Sequence, residues 1–252
     1  MRGTSLMIKG VVGILVVWTS AVLAVNGQEH AELEQTIESR IRALAPNAET
    51  IAISETPITG LLQVQVNSEI YYASDDARYL VSGRIIDMET RVDITDQAKS
   101  GIRRSFMQDL DPTEQITFSP ADAEFELLVF TDIDCGYCRK LHDQMSEYME
   151  EGIAISYMAF PRAGVGSHSF DKYVSVWCAD DQQNALTLAK AGTEPAPAQC
   201  DNPVEKQYNL GRELGVTGTP ALLTADGTLI PGYIPPQQLK QRLRALTATA
   251  AP

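Results

Sequence analysis

Cys135-Gly136-Tyr137-Cys138 follows closely on the apolar run 127–130 and opens an amphipathic segment. Four apolar residues in a row read as a short strand buried on both faces. After it, Cys138, Leu141, Met145 and Tyr148 recur at helical spacing. A C-x-x-C at a strand-to-helix junction has a chemical consequence. Cys135 stands at the helix N-terminus, where unpaired amides and the macrodipole stabilise a thiolate. Cys138, one turn on, faces the protein body and can close a small reversible disulfide with it. Three blander readings are weaker. A structural bridge across so short a loop adds little stability. Cys135, Cys138 and His142 lack the fourth ligand of a structural zinc site, and the chain has no second C-x-x-C. Covalent haem attachment needs His where Arg139 stands. The motif therefore predicts a redox dithiol that needs neither metal nor cofactor.

The surroundings agree on an oxidising compartment. Arg2 and Lys9 precede an apolar run over 11–23, and Val22-Leu23-Ala24 suits signal-peptidase cleavage. Residues 1–24 are read as a cleavable signal peptide; the run is shorter than the ~20 residues of a membrane span. Its removal leaves 18 basic against 33 acidic residues, net −15. Such a charge argues against nucleic acid and anionic membrane as partners. All four cysteines lie beyond the signal. With Cys135 and Cys138 as the reactive pair, Cys178 and Cys200 remain for a structural disulfide. It closes a loop of about two dozen residues, worth roughly 3 kcal/mol.

Along the chain, 29–44 reads as a helix with Leu33, Ile37, Ile41 and Leu44 on one stripe, stopped by Pro46. Over 50–95 the pattern becomes short strands: 62–66, 69–73, 78–82 and 84–88, punctuated by Asn67-Ser68, Ser74-Asp75-Asp76 and Gly83. So slight a sheet needs a partner for its edge and apolar face, which predicts dimerisation. A helix over 95–110, with Thr95 as N-cap and Ala98, Ile102 and Phe106 inward, reads as a linker. Then come a strand (127–130), the dithiol helix, a strand around Ile153, Ile155 and Tyr157, and a helical stretch (169–191). A helix over 203–214, a hairpin around Asp226-Gly227 and a last helix with Leu239, Leu243 and Leu246 follow. The fold class is α+β. Its parts are a signal (1–24), an N-terminal sheet domain for dimerisation (25–94), a linker helix (95–112) and a thioredoxin-like α/β domain with a helical insertion (113–252).

Thr219-Pro220 is the second diagnostic element, a proline at the start of a strand where its missing N–H is not needed. In a thioredoxin-like domain this loop lies opposite the dithiol and can pair with an extended substrate peptide. Whether its bond is cis is left open by the sequence. The matching segments then accumulate in order. They are Phe130-Thr131-Asp132-Ile133-x-Cys135-Gly136-Tyr137-Cys138-x-Lys140-Leu141-His142 and Ala159-Phe160-Pro161-Arg162. Next come Trp177-Cys178-Ala179, Ala196-Pro197-Ala198-x-Cys200-Asp201, Gly218-Thr219-Pro220-Ala221 and Pro231-Gly232-Tyr233-x-Pro235-Pro236. Over most of the second domain the chain resembles the periplasmic thiol:disulfide isomerases of Gram-negative bacteria, the DsbC/DsbG family, nearest its DsbC branch. The first domain matches only in layout.

The resemblance implies a periplasmic homodimer that rearranges wrong disulfides in misfolded exported proteins, with chaperone-like substrate binding. It implies Cys135 as nucleophile, Cys138 as resolving thiol, Gly136 and Tyr137 as tuning residues, and Thr219 and Pro220 as substrate-binding residues. A membrane thiol reductase of DsbD type would keep the dithiol reduced. A DsbG-like thiol reductase and chaperone, or a disulfide oxidase, stands as the alternative. One position departs from the family pattern: Asp134 precedes the nucleophile where an uncharged residue is usual. A carboxylate there should raise the Cys135 pKa, with Arg139 on the next turn able to offset it, and a Cys135 less acidic than is usual in the family is expected. His142 either tunes the site or packs, and His168 is read as solvated.

Overall fold

The computed structural model describes the backbone of residues 19–250. Most of the expected signal peptide lies outside the described residues. No helix among them is long and apolar enough to cross a membrane. The chain divides into two units, Met1–Val64 with Tyr71–Val81, and Gln65–Ile70 with Ser82–Pro252.

Helix α1 (Thr19–Leu44) is followed by β1 (Ile51–Glu55), β2 (Leu61–Val66), β3 (Glu69–Ser74) and β4 (Leu80–Ser82). The four strands form one sheet in chain order. Alternation on β2 buries Leu62 and Val64, and Ile37, Ile41, Tyr72 and Ala73 are buried as well. Asn67 takes the left-handed conformation (φ 54°) that the β2–β3 turn requires. The strand expected over 84–88 does not form; only an isolated bridge joins Ile86 to Asp93. Strand β1 escaped the alternation pattern.

Helix α2 (Ile94–Gln108) is capped two residues before the Thr95 expected of it. Asp93 is the N-cap, accepting from the Asp96 amide at 2.9 Å, while the Thr95 hydroxyl is taken by the Ile85 amide. This helix packs within the second unit. Arg103 is buried and donates to the carbonyls of Leu214 and Gly227, and Phe106 and Met107 join an apolar cluster around Phe130. The φ of Gly227 is +85°, and an added Cβ there would sit 2.0 Å from the Ser100 carbonyl oxygen. The turn between the last two strands thus presses directly on α2.

The remaining elements are β5 (Ile116–Phe118), β6 (Phe125–Thr131), α3 (Gly136–Asp143), α4 (Met145–Glu150) and β7 (Ile153–Ala159). After these come α5 (His168–Trp177), α6 (Gln182–Lys190), α7 (Val204–Glu213), β8 (Ala221–Thr224), β9 (Leu229–Pro231) and α8 (Pro236–Ala250). The sheet order is β5-β7-β6-β8-β9, with β6 parallel to β7 and antiparallel to β8. Strand β6 is central and covered on both sides, which is why its sequence is unbroken apolar rather than alternating. Leu127 and Val129 enter the cluster with Tyr148, Tyr157 and Trp177; Leu128 and Phe130 enter the opposite one with Met158, Phe160 and Leu223. The amphipathic segment after the dithiol is two helices, broken at Gln144. Its stripe survives the break, with Cys138, Leu141, Met145 and Tyr148 all buried.

Candidate active site

The dithiol stands where β6 hands over to α3, and Asp132 makes the turn. Its Oδ1 accepts from the Asp134 amide at 2.8 Å, folding the chain back so that Cys135 becomes the N-cap of α3. The same carboxylate accepts from Ser169 Oγ (2.8 Å), the Arg162 amide (2.9 Å) and Arg162 Nε (3.0 Å). One buried side chain therefore ties the dithiol loop to the segment after β7 and to α5. Burial raises the Asp132 pKa, but these donors outweigh it and hold the carboxylate below its usual range.

Cys135 and Cys138 are unpaired thiols. Cys138 has no exposed surface. Cys135 keeps 3% of its own, yet it is shallow, since Asp134, Gly136 and Tyr137 around it are all exposed. Its thiol donates to the Thr219 carbonyl at 3.3 Å. Thr219 precedes Pro220 through a cis peptide bond, and the chain just before it, Thr217-Gly218, is exposed. The Thr219 hydroxyl is buried and has no hydrogen-bond partner among the described residues. A donor left unsatisfied beside two sulfurs is available to a thiolate.

The two thiols are pushed in opposite directions. Burial raises the Cys135 pKa, but the Thr219 hydroxyl available to its thiolate, the Cys138 amide and thiol, and the charge of Arg162 bring it below the ordinary thiol value. Burial dominates at Cys138 and raises it. Cys135 is thus the more readily ionised sulfur and Cys138 the one held back as a thiol. Asp134 is not among the leading influences on Cys135. Its carboxylate is bound by Arg139 Nη2 and Lys172 Nζ, both at 3.0 Å, which absorb its charge.

Of the other residues singled out, Tyr137 is 64% exposed and stacks on Tyr233, whose ring also carries Lys140 Nζ at 4.7 Å. Gly136 takes the first position of α3, and a Cβ there would meet nothing within 4 Å. Cys178 and Cys200 form a disulfide with Cα atoms 5.7 Å apart. It joins the C-terminal end of α5 to the segment before α7. His142 is packed between Tyr157 Oη (3.2 Å) and Thr187 Oγ1 (3.0 Å), and burial lowers its pKa to about 4. It is a neutral core residue. His168 is exposed, 3.5 Å from Glu194. No group of potential metal ligands exists among the described residues. Sequence reasoning missed the converging role of Asp132 and the buried Lys190. Lys190 carried a signal, standing four residues after the buried Leu186 on the apolar face of α6; Asp132, in a loop, carried none.

Comparison with known proteins agrees with this geometry. The family described as thioredoxin-like domain matches residues 113–247. The disulfide bond isomerase protein N-terminal domain matches residues 28–96. The thiol:disulfide interchange protein DsbC of Escherichia coli (strain K12) is 37% identical over 191 residues, covering 76% of this chain and 80% of that protein. DsbC of Dickeya dadantii (strain 3937) is 32% identical over 237 residues, covering 93% and 96%. A disulfide interchange protein from Neisseria gonorrhoeae, known as a crystal structure, matches 54% of this chain and 97% of its own at 28% identity and a TM-score of 0.49. The DsbG-like and oxidase alternatives are not favoured by these relatives. With the N-terminal domain of a disulfide bond isomerase protein, a thioredoxin-like domain and a dithiol whose two pKa values are pushed apart, this chain belongs to the DsbC family of thiol:disulfide interchange enzymes.

Proposed function

We propose that the chain is an exported disulfide isomerase in which Cys135 is the attacking sulfur and Cys138 the resolving one. The observation that carries this is the pairing of a shallow thiol of lowered pKa with a buried thiol of raised pKa across one turn of α3. The Cys135 thiolate attacks a wrong disulfide in a misfolded exported protein. A mixed disulfide forms, and one substrate thiolate leaves. That thiolate attacks a second substrate disulfide, and the thiolate released there attacks the mixed disulfide, which frees Cys135 with no net change of electrons. If it does not, Cys138 displaces the substrate and the enzyme is left oxidised. A membrane thiol reductase of DsbD type then restores the dithiol.

Thr219 and Pro220 are the substrate-binding residues in this reading. The exposed chain at 217–218 leads into Thr219 beside Cys135 and can align a peptide as a strand would. Exposed Tyr137, stacked on the half-buried Tyr233, stands two residues from Cys135. The compartment is the periplasm, reached through the signal peptide. The working unit is a homodimer formed by the N-terminal domains. Strand β4 ends its sheet, and Tyr79, Leu80 and Val81 are 57%, 42% and 50% exposed.

Recovery of scrambled ribonuclease tests the assignment. Cys135→Ala should abolish recovery while suppression of aggregation persists. Cys138→Ala should keep part of the recovery and accumulate reductant-sensitive substrate adducts. Recovery by Cys135→Ala would overturn the reading.

A further inference from the structure

Lys190 closes α6 and is 1% exposed. A lysine so deeply placed calls for a counter-charge, yet it forms no ion pair with a carboxylate among the described residues. Its ammonium donates to Thr131 Oγ1 at 2.8 Å and lies 5.2 Å from the centre of the Tyr157 ring. The groups that favour a Cys138 thiolate include Lys190, by its charge, and the Thr131 hydroxyl. A hydroxyl accepts and donates at once, so Thr131, held by Lys190, can pass a proton between that amine and the Cys138 sulfur. The groups facing Lys190 are Cys135, Cys138, Arg139 and His142 from α3, Asp132 from the dithiol loop and Tyr157 from β7. Tyr173 of α5 bonds to the Thr131 carbonyl. Of these, Asp132 is already committed to Arg162, and His142 is neutral. The thiolates are the anions left to it.

We propose that Lys190 is a positioning residue for the resolving thiol, taking the Cys138 proton through the Thr131 hydroxyl and holding the resulting thiolate by its charge. This rests on the reading of Cys135 as nucleophile and Cys138 as resolver. In the mixed disulfide, Cys138 passes its proton to Thr131 Oγ1 as the Thr131 proton moves to the neutral Lys190 amine. The Cys138 thiolate attacks Cys135 Sγ. The Cys135–Cys138 bond forms, the Cys135–substrate bond breaks, and its electron pair leaves on the substrate sulfur. The substrate gains two electrons and the dithiol loses two. The proton count closes when the departing thiolate takes a proton from water or from the Lys190 ammonium. Burial brings Lys190 down to about 8, so near neutral pH a fraction of the amine is available as acceptor. At Cys138, Lys190 is the leading group that opposes the upward push of burial.

Rapid mixing of the reduced full chain with 5,5′-dithiobis(2-nitrobenzoate) separates the two sulfurs. The first equivalent of thionitrobenzoate reports attack by Cys135, and the second reports resolution by Cys138. Lys190→Met and Thr131→Val are compared with the natural chain across neutral to alkaline pH. Exchange of a buried charge for an apolar side chain of similar length is compatible with folding, and Thr131→Val reads the same relay with Lys190 in place. The second release should slow about 10-fold near pH 7 in both variants, with its pH midpoint moved further up, because burial of the Cys138 thiol is then less opposed. A second release slowed less than about threefold, or slowed equally at every pH, overturns the inference. Absence of the first release in the natural chain would instead overturn the assignment of Cys135.

Discussion

Asp132→Asn tests the joint that presents the dithiol. The carboxylate is 3% exposed and accepts four hydrogen bonds, two on each oxygen. An amide has the same shape but offers one acceptor oxygen. If its NH2 faces Arg162, it meets two donors that cannot turn away. If it faces the other side, Ser169 can rotate to accept, but the Asp134 amide loses its partner. The second arrangement is the cheaper one. It still forfeits a buried N–H bond and the charge in the Arg162 bonds, each worth about 1–3 kcal/mol. Easier burial of a neutral group returns part of this, so the net loss should be about 2–4 kcal/mol at neutral pH. For a unit of this size the melting temperature should fall about 5–15 °C. The pH dependence gives the sign. Donors hold Asp132 below the ordinary carboxylate range. Its contribution is therefore complete above an unfolded value near 4 and fades as pH falls through the lower folded value. Urea unfolding of both proteins should show the difference shrinking below about pH 4. A difference under about 1 kcal/mol at neutral pH, or one unchanged into strong acid, would refute the joint.

Three further outcomes follow from the geometry. Thr219→Val removes the unsatisfied hydroxyl beside the sulfurs and should raise the Cys135 pKa, by about one unit for one lost bond to an anion; thiolate absorbance against pH measures it, and an unmoved midpoint contradicts it. Gly227→Ala puts a Cβ against the Ser100 carbonyl at φ +85° and should destabilise by about 2–4 kcal/mol in urea unfolding; a loss under about 1 kcal/mol would mean that α2 is not pressed on this turn. Leu80→Lys with Val81→Lys charges the exposed β4 edge. Sedimentation should then report monomers from the altered chain and dimers from the natural one. Equal masses would remove β4 from the interface.

What the sequence disclosed and what it hid divide along contact range. The strand before the dithiol, the helical stripe after it and the Asp226-Gly227 hairpin depend on neighbours a few residues away, so period and turn chemistry reveal them. The Cys178–Cys200 bridge followed from counting. The break at Gln144 was hidden because the buried stripe runs through it unchanged. Asp132 looked like one residue of a loop, and its importance comes from Arg162 and Ser169, 30 and 37 residues away. Lys190 looked like a basic residue at a helix C-terminus, where the dipole would favour it. Its burial beneath Thr131, 59 residues back, exists only once α6 is packed. Asp134 misled for the same reason. Its local effect on Cys135 was legible, but Lys172, from α5, was not.

The central claim is that Cys135 alone carries the exchangeable charge. The rate of iodoacetamide alkylation of the reduced full chain against pH, with the modified residue located by mass spectrometry, tests it most directly. The account predicts one adduct, at Cys135, with a midpoint below that of an ordinary thiol and Cys138 untouched. A first adduct at Cys138, or a Cys135 midpoint at or above the ordinary thiol value, would contradict it.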